Sequence, residues 1–552
     1  MRRAAIALAI FSLAGTSLAQ VYRPGWTSVM NGKTEGGEYG ASIALDPMGN
    51  VVALGSTAPR ESGALRRDLV LRKFSPLGQV LWDVRLDPTK KKIDDWAHSV
   101  ATAPNGDLYV SSAAPLPNQD RFVMSRVSGA SGQIMWSQIL DTGQDRATPR
   151  HLVTDPTGGV IQAGGVGSNA RGGLLAVKWT EAGSPAWTVR FAGPQGDSEC
   201  LGIDVSPRGE VALTGYITTP TSGQDLVVGL ISPGGQLAWQ KSFTGAAGFG
   251  RDKGTAVTFS PNGEVWVAGE LYVEGSVSYL TLLRLNKADG SELGRTIIST
   301  PRGIAGAAAG MQATTGGVLI GGQLYEITAN GTDLAVVKFS STGEKIWHTL
   351  MNAGERTEEQ SRSFAVDSYG NSYIAGESTA RNQLGLTLLG RVNRDGTLGW
   401  QHKNEQNDFR SHPGRILVDS LTGNVYVIGS PEGGVTSRFS LQAFYQSPTA
   451  SGDSYSTPSD KTLAVEPESG VKSNDVFGRL ATVELVTPPK EGTLALTPEG
   501  GLTYTPSKDF VGKSTFRYRL NREGLSPSEA DVTIQVTKPV PPPAQTAMKG
   551  QP

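Results

Sequence analysis

The sequence predicts an all-β protein: an eight-bladed β-propeller closed by its own N-terminal strand, followed by a small immunoglobulin-like β-sandwich. Three observations carry this expectation. One turn motif recurs eight times at intervals of 51 to 57 residues, the chain between turns holds short apolar runs with period-2 alternation, and the composition shifts past Gln446. A repeat of this length marks a solenoid, propeller or array, and four strands per repeat select the propeller.

Residues 1–19 read as a secretory signal peptide. Arg2 and Arg3 form the charged start, Ala4 to Ala14 the apolar stretch, and Ser17-Leu18-Ala19 the small-x-small cleavage site before Gln20. The apolar part is too short to span a bilayer. The arginines lack twin-arginine flanks, no cysteine follows for lipid attachment, and no later apolar run is long enough to cross a membrane. The expected location is extracellular, cell-surface or periplasmic, with no transmembrane anchor.

Residues 22–446 are the expected propeller. The unit from Ser363 to Lys403 shows the plan, with four apolar runs, a tight turn at Asp367-Ser368-Tyr369-Gly370-Asn371 and a second at Asn393-Arg394-Asp395-Gly396. The first turn returns as Asp46-Pro47-Met48-Gly49-Asn50 and Ser260-Pro261-Asn262-Gly263-Glu264, and at five further places. Pro presets the first central dihedral and Gly supplies the positive φ. A Trp stands four residues after a second-turn Gly at Trp82, Trp136, Trp187, Trp239, Trp347 and Trp400, whereas the fifth unit has Gly294 there. Trp26 shares this apolar context but precedes any complete unit, and the eighth unit lacks a Trp strand. Placing the Trp26 strand beside the run Thr436 to Tyr445 repairs both defects, completes eight blades and leaves no open sheet edge at the seam.

These turns, with their "YIAGES"-like strands, resemble secreted bacterial β-propeller repeat proteins. The Gly-x-x-x-Trp element, as in Gly343-Glu344-Lys345-Ile346-Trp347, resembles the tryptophan docking element of eight-bladed quinoprotein-type propellers. The resemblance implies fold rather than function, because such scaffolds serve unrelated purposes.

Residues 450–537 alternate as strands should, with Gly501-Leu502-Thr503-Tyr504-Thr505-Pro506, Phe516-Arg517-Tyr518 and Val532-Thr533-Ile534-Gln535-Val536. They resemble bacterial immunoglobulin-like, cadherin-like domains, which implies a spacer or adhesive module. Related domains often carry calcium on an acidic stretch after the second strand. Here Asn474-Asp475 lacks later acidic ligands and Arg479 would repel the ion, so no calcium or other cofactor is expected. The Pro-rich tail, residues 538–552, is expected to be extended and disordered.

Fifty basic against 51 acidic residues, a net charge of −1, argues against a nucleic-acid or polybasic membrane partner. The one cysteine, Cys200, excludes an intramolecular disulfide and reads as a small buried apolar side chain.

Repetition separates scaffold from site. The Trp series, Trp26 included, and the Asp residues opening third strands, Asp68, Asp225 and Asp333, recur and serve the fold. Seven residues before each turn start the units carry Tyr39, Trp96, Thr148, Glu199, Lys253, Gly306, Gln360 and His412, a variable set expected in the loops entering the first strands at the channel rim. Trp96 with Asp94, Asp95 and His98 is the group best suited to stack on a sugar and bond its hydroxyls. His98 and His402 are expected to be exposed, and the five histidines show no metal-ligand spacing. No Gly-x-Ser-x-Gly elbow or phosphate loop is present. One cysteine excludes the vicinal disulfide of quinoprotein dehydrogenases, and the sialidase Ser-x-Asp-x-Gly box is absent. The expectation is a secreted, non-enzymatic binding or scaffold protein for an extracellular protein or polysaccharide. The alternatives are a carbohydrate-active or quinone-dependent propeller enzyme with its site at the channel mouth, and an envelope or matrix structural protein.

Overall fold

The computed structural model describes residues 21–30, 38–57, 60–61, 64–65, 67–90, 93–116, 119–141, 146–168, 171–192, 198–220, 222–245, 250–273, 277–298, 306–326, 331–354, 357–380, 386–403, 411–431 and 439–539. The signal-peptide segment and the tail from residue 540 lie outside the described residues. The described residues divide into two compact units, one built on residues 24–420 and 424–444 and the other on residues 445–539 together with 21–23 and 421–423.

The first unit is a series of four-stranded sheets. Seven follow chain order, at residues 38–86, 96–140, 146–192, 198–243, 253–298, 306–351 and 357–403, and are called blades one to seven here. Blade eight combines Ser411–Asp419, Asn424–Pro431 and Phe439–Gln446 with the N-terminal strand Tyr22–Met30, which lies beside Phe439–Gln446. The Trp26 strand therefore closes the last blade, as its repeat position predicts. Each blade's first strand packs against the first strand of the next, and that of blade eight packs against that of blade one. These innermost strands form an unbroken ring.

In blades one, three, four, five and seven the first turn is held by its leading Asp or Ser, whereas blades two and six begin it with Ala103 and Ala313. In blade one the Asp46 carboxylate accepts from the backbone N–H groups of Met48 and Asn50 at 2.9 and 2.8 Å, and Gly49 takes φ +81°. This is an Asx-type turn, in which the side chain replaces a backbone acceptor. The same carboxylate also pairs with Lys73 at 2.8 Å. Lys178 with Asp155 repeats the pairing in blade three at 2.6 Å, and in blade two, where Ala103 leads the turn, Arg126 pairs instead with Asp107 at its end, at 3.0 Å. The basic residue sits on the third strand directly across from the repeat Trp, as in Lys73 opposite Trp82 and Arg126 opposite Trp136.

That Trp reaches the following blade. The indole N–H of Trp82 donates to the Gly129 carbonyl at 3.1 Å, that of Trp136 to Glu181 at 3.0 Å, that of Trp187 to Pro233 at 3.3 Å and that of Trp239 to Lys287 at 2.8 Å. Trp26 likewise donates to Pro76 of blade one at 3.3 Å, carrying the pattern across the seam. A turn glycine of the receiving blade lies against each ring, so close that a Cβ on Gly235 would come within 2.3 Å of Trp187. In blade five, where Gly294 replaces the Trp, Arg284 fills the slot: its side chain lies under Gly343 and its guanidinium donates to the Thr342 carbonyl.

Burial between blades supplies the core. Cys200 is fully buried with Ile161, Phe191 and Leu213. Burial pushes its thiol up to about 12, outweighing the hydrogen bond to Gly202 and the field of Arg150 that favour the thiolate. The folded protein is thus expected to resist iodoacetamide at pH 8 and to react stoichiometrically in denaturant. Rapid alkylation of native protein would contradict this burial.

The second unit is a two-sheet sandwich. One sheet orders Asp453–Pro458, Ser528–Thr537, Gly512–Asn521 and Thr482–Thr487, with its first pair parallel, and the other orders Leu463–Val465, Leu502–Thr505 and Thr493–Leu496. Alternation puts Phe516, Tyr518, Val532, Ile534 and Val536 inside, with Tyr504 from the facing sheet.

Candidate functional site

The innermost strands share one irregularity. Each carries a register shift that leaves a residue unpaired with the second strand: Ala41, His98, Arg150, Leu201, Thr255, Ala309, Arg362 and Gly414. A β-bulge bends its strand and re-aims a side chain. Here the bulge recurs in every blade while its residue changes, which is how a symmetric frame displays an asymmetric surface.

The variable residues seven places before the turns do not lie in entering loops. They belong to the first strands and pair with second-strand residues, Tyr39 with Ser56, Glu199 with Tyr216 and Lys253 with Glu270. The apolar-run pattern was interrupted there by polar residues, so strand and loop could not be told apart from sequence.

Tyr39 and Trp96 do come together, through a residue that the repeat pattern did not single out. The Arg67 guanidinium lies 3.8 Å from the Trp96 ring centroid and 5.1 Å from that of Tyr39, with the two aromatic residues 41% and 43% exposed. Such contacts favour a cation over an aromatic face. The Arg67 backbone is fixed in turn, its N–H donating to Asp94 at 2.8 Å and its carbonyl accepting from the Asp95 N–H at 2.9 Å. Asp95 is wholly buried, so it supports the cluster and is not presented on its surface.

His98 belongs elsewhere. It is half-buried at the blade-two bulge, where burial and then the Arg150 charge lower its pKa to about 4, correcting the expectation of an exposed polar residue. His402 is likewise half-buried, its ring 5.0 Å from that of Phe444.

Glu199 lines a cavity of 220 Å³ between blades three and four, with Thr148, Arg150, Ser198 and Tyr216. Its carboxylate pairs with Arg150 and accepts from the Tyr216 hydroxyl at 3.4 Å. Next to Arg150 stands His151, lowered to about 3 by burial, by Arg415 of blade eight and by Arg150, against the pull of hydrogen bonds to Cys200 and Leu201. Lys253 is engaged by Glu270 at 3.3 Å, and Gln360 accepts from Arg362, which also pairs with Glu377 at 3.2 Å. His412 pairs through its backbone with Ser430, and its side chain lies outside the described residues. The structure thus divides the candidate set into an aromatic cluster on blades one and two and an ionic wall on the inner strands.

Arg67, Arg150, His151, Arg362 and Arg415 were missed. Counting five residues back from the turn start, to the bulge, instead of seven would have found Arg150 and Arg362. Among the described residues no group of three or more His, Cys, Asp or Glu side chains could hold a metal ion. No helix of the described residues is long and apolar enough to cross a membrane.

Four-stranded sheets in series around a ring of inner strands define a β-propeller, and the sandwich after it is an immunoglobulin-like β domain. Residues 446–538 match the family model of the bacterial cadherin-like domain. The propeller has likenesses among solved structures. Quinohemoprotein alcohol dehydrogenase from Comamonas testosteroni is 11% identical over 77% of this chain and 76% of that chain, with a TM-score of 0.43. The β-propeller domain of the trilobed protease from Pyrococcus furiosus is 9% identical over 69% and 98%, with a TM-score of 0.40. A Dyadobacter fermentans protein of unknown function is 10% identical over 77% and 99%, with a TM-score of 0.36. Likeness of this degree transfers no residue's role. No curated protein matches the chain.

Proposed function

We propose that the protein is a non-enzymatic binding or scaffold protein working outside the cytoplasm, which offers the mouth of its propeller to an extracellular protein or polysaccharide. One observation carries this reading: eight equivalent bulges hold the inner strands in one geometry while their residues differ from blade to blade. A fold that spends its symmetry on a frame and varies the displayed residues is built for recognition. The Tyr39–Arg67–Trp96 cluster adds exposed aromatic faces suited to a sugar ring. A cadherin-like domain suits display at a cell surface or in a matrix.

A glycan array with the purified chain tests this. Trp96→Ala is expected to weaken binding to the selected glycans about tenfold, the scale of one lost aromatic stack. Unchanged binding would remove the aromatic cluster from the recognition face, and turnover of a sugar or alcohol would overturn the non-enzymatic reading.

A further inference from the structure

The cavity between blades three and four is built by both of them. Blade three contributes Thr148, Arg150 and Gly165, and blade four contributes Ser198, Glu199 and Tyr216. A Cβ on Gly165 would come within 2.6 Å of the Ser198 carbonyl, so the two blades meet backbone to backbone along this wall. The blade-three bulge leaves Arg150 without a partner on the second strand. Its guanidinium is thereby free to cross to blade four, where it pairs with the Glu199 carboxylate. The repeat thus supplies the frame, and residues particular to these two blades supply the cavity's chemistry.

The polar groups of this wall retain hydrogen-bonding capacity. The ion pair joins Nη2 of Arg150 to Oε1 of Glu199, and a guanidinium carries further N–H donors as a carboxylate carries further lone pairs. The other Glu199 oxygen accepts from the Tyr216 hydroxyl at 3.4 Å, longer than an ordinary hydroxyl hydrogen bond. Ser198 Oγ is shielded from solvent and has no hydrogen-bond partner, a costly state for a hydroxyl and one that a bound polar group would relieve. One guanidinium and one carboxylate line the cavity, so its charges cancel. Donors and acceptors side by side without net charge match hydroxyl groups, each of which both donates and accepts. At 220 Å³ the cavity falls below the roughly 300 Å³ at which drug-sized pockets begin, room for about one sugar ring.

We propose that this cavity is a site for one neutral hexose ring, whose hydroxyls bond the Arg150–Glu199 pair, the Tyr216 hydroxyl and Ser198 Oγ. This rests on the binding reading above and names its ligand class, a neutral glycan recognised by a single ring at its end. Adjacent sugar hydroxyls can accept from Arg150 and donate to Glu199 together, and hydrogen bonds to charged groups are the stronger kind. An acidic sugar fits less well, because its carboxylate would face that of Glu199.

The test uses the full chain with the methyl glycosides of glucose, galactose and mannose and with glucuronate, measured by calorimetry and saturation-transfer NMR. At least one methyl hexoside is expected to bind with a Kd of about 1 mM or below, and glucuronate about tenfold more weakly. Glu199→Gln leaves Arg150 without its counter-charge and is expected to reverse that preference in favour of glucuronate. Tyr216→Phe, which keeps both charges, is expected to weaken the hexoside about fivefold and leave the preference as it was. An ion pair with a structural role alone would lower Tm in Glu199→Gln without moving the preference. The proposal is overturned if no hexoside binds at roughly 50 mM, if the native chain binds glucuronate more tightly, or if Glu199→Gln leaves the preference unchanged. Array glycans that bind through Trp96 and are unaffected by both variants, with no hexoside bound, would leave the broader recognition reading standing while this site falls.

Discussion

Replacing Trp239 by Ala is expected to lower the stability of the propeller by about 3–5 kcal/mol, the range for emptying a large buried aromatic site. The side chain is 7% exposed, packs with Leu230, Val267 and Leu283, and donates to the Lys287 carbonyl at 2.8 Å. Its loss opens a cavity between blades four and five and leaves a carbonyl without its donor. The facing glycine gives an independent check. Gly290 has φ +71°, and a Cβ there would meet Trp239 at 2.6 Å. Gly290→Ala should therefore cost about 1–3 kcal/mol through clash and backbone strain together. In the Trp239→Ala background the clash with the ring disappears, leaving the strain and the 2.9 Å approach to the flexible Lys241 side chain, so the two costs should sum to more than the double mutant shows. Strict additivity in denaturant titrations followed by circular dichroism would show that the glycine and the indole do not share one slot.

Much of this frame was legible because it repeats. A positive-φ glycine, a preceding Asp or Ser and a Trp four residues later are local requirements of a turn and a slot, and local requirements leave residues in sequence. The seam was legible for the same reason, since Trp26 is a repeat element without a blade and Phe439–Gln446 belongs to a blade without a Trp. The basic residue opposite the Trp position recurs in six blades, as Lys73, Arg126, Lys178, Arg284, Lys338 and Arg391, with Leu230 in its place opposite Trp239, yet it escaped notice. A Lys or Arg in an alternating strand reads as its solvent face, and only the fold shows Lys73 bonded to Asp46 on one side and to the Gly129 carbonyl of the next blade on the other. The site was harder still. Arg67 meets Trp96, and Arg150 meets Glu199, through contacts between blades that no spacing along the chain encodes. His98 was misplaced because a one-residue bulge changes which side chain faces inward, and a bulge has no residue signature of its own when its occupants range from Gly to Arg.

The cadherin-like domain is expected to become less stable as pH rises from about 4 to about 7. Asp453 is pushed up to about 7 by burial and then by the neighbouring Asp475 charge. Asp475 is itself pushed up to about 6 by burial, against hydrogen bonds from the Ser451 N–H and the Tyr518 hydroxyl and the attraction of Lys472. Both folded values lie above the ordinary carboxylate value near 3.9. Between that value and about 7 the folded domain holds protons that the unfolded chain has released, so unfolding releases protons and is favoured by rising pH. Below about 4 both states are protonated and the domain keeps its full stability; above about 7 the whole penalty of two neighbouring carboxylates is present. Asp453→Asn should remove the larger part of the slope, since Asp453 carries the larger of the two shifts, and leave the part that burial of Asp475 contributes. With Asp453 half exposed to solvent, the gain at pH 8 is expected to be about 1–2 kcal/mol, with little change at pH 4. Hydrogen exchange in the strand Ser528–Thr537, read by mass spectrometry on the full chain at the two pH values and corrected for intrinsic exchange rates, isolates this domain from the propeller. Protection that rises with pH in the native chain, or an equal effect of Asp453→Asn at pH 4 and pH 8, would show that the pair does not govern the domain's stability.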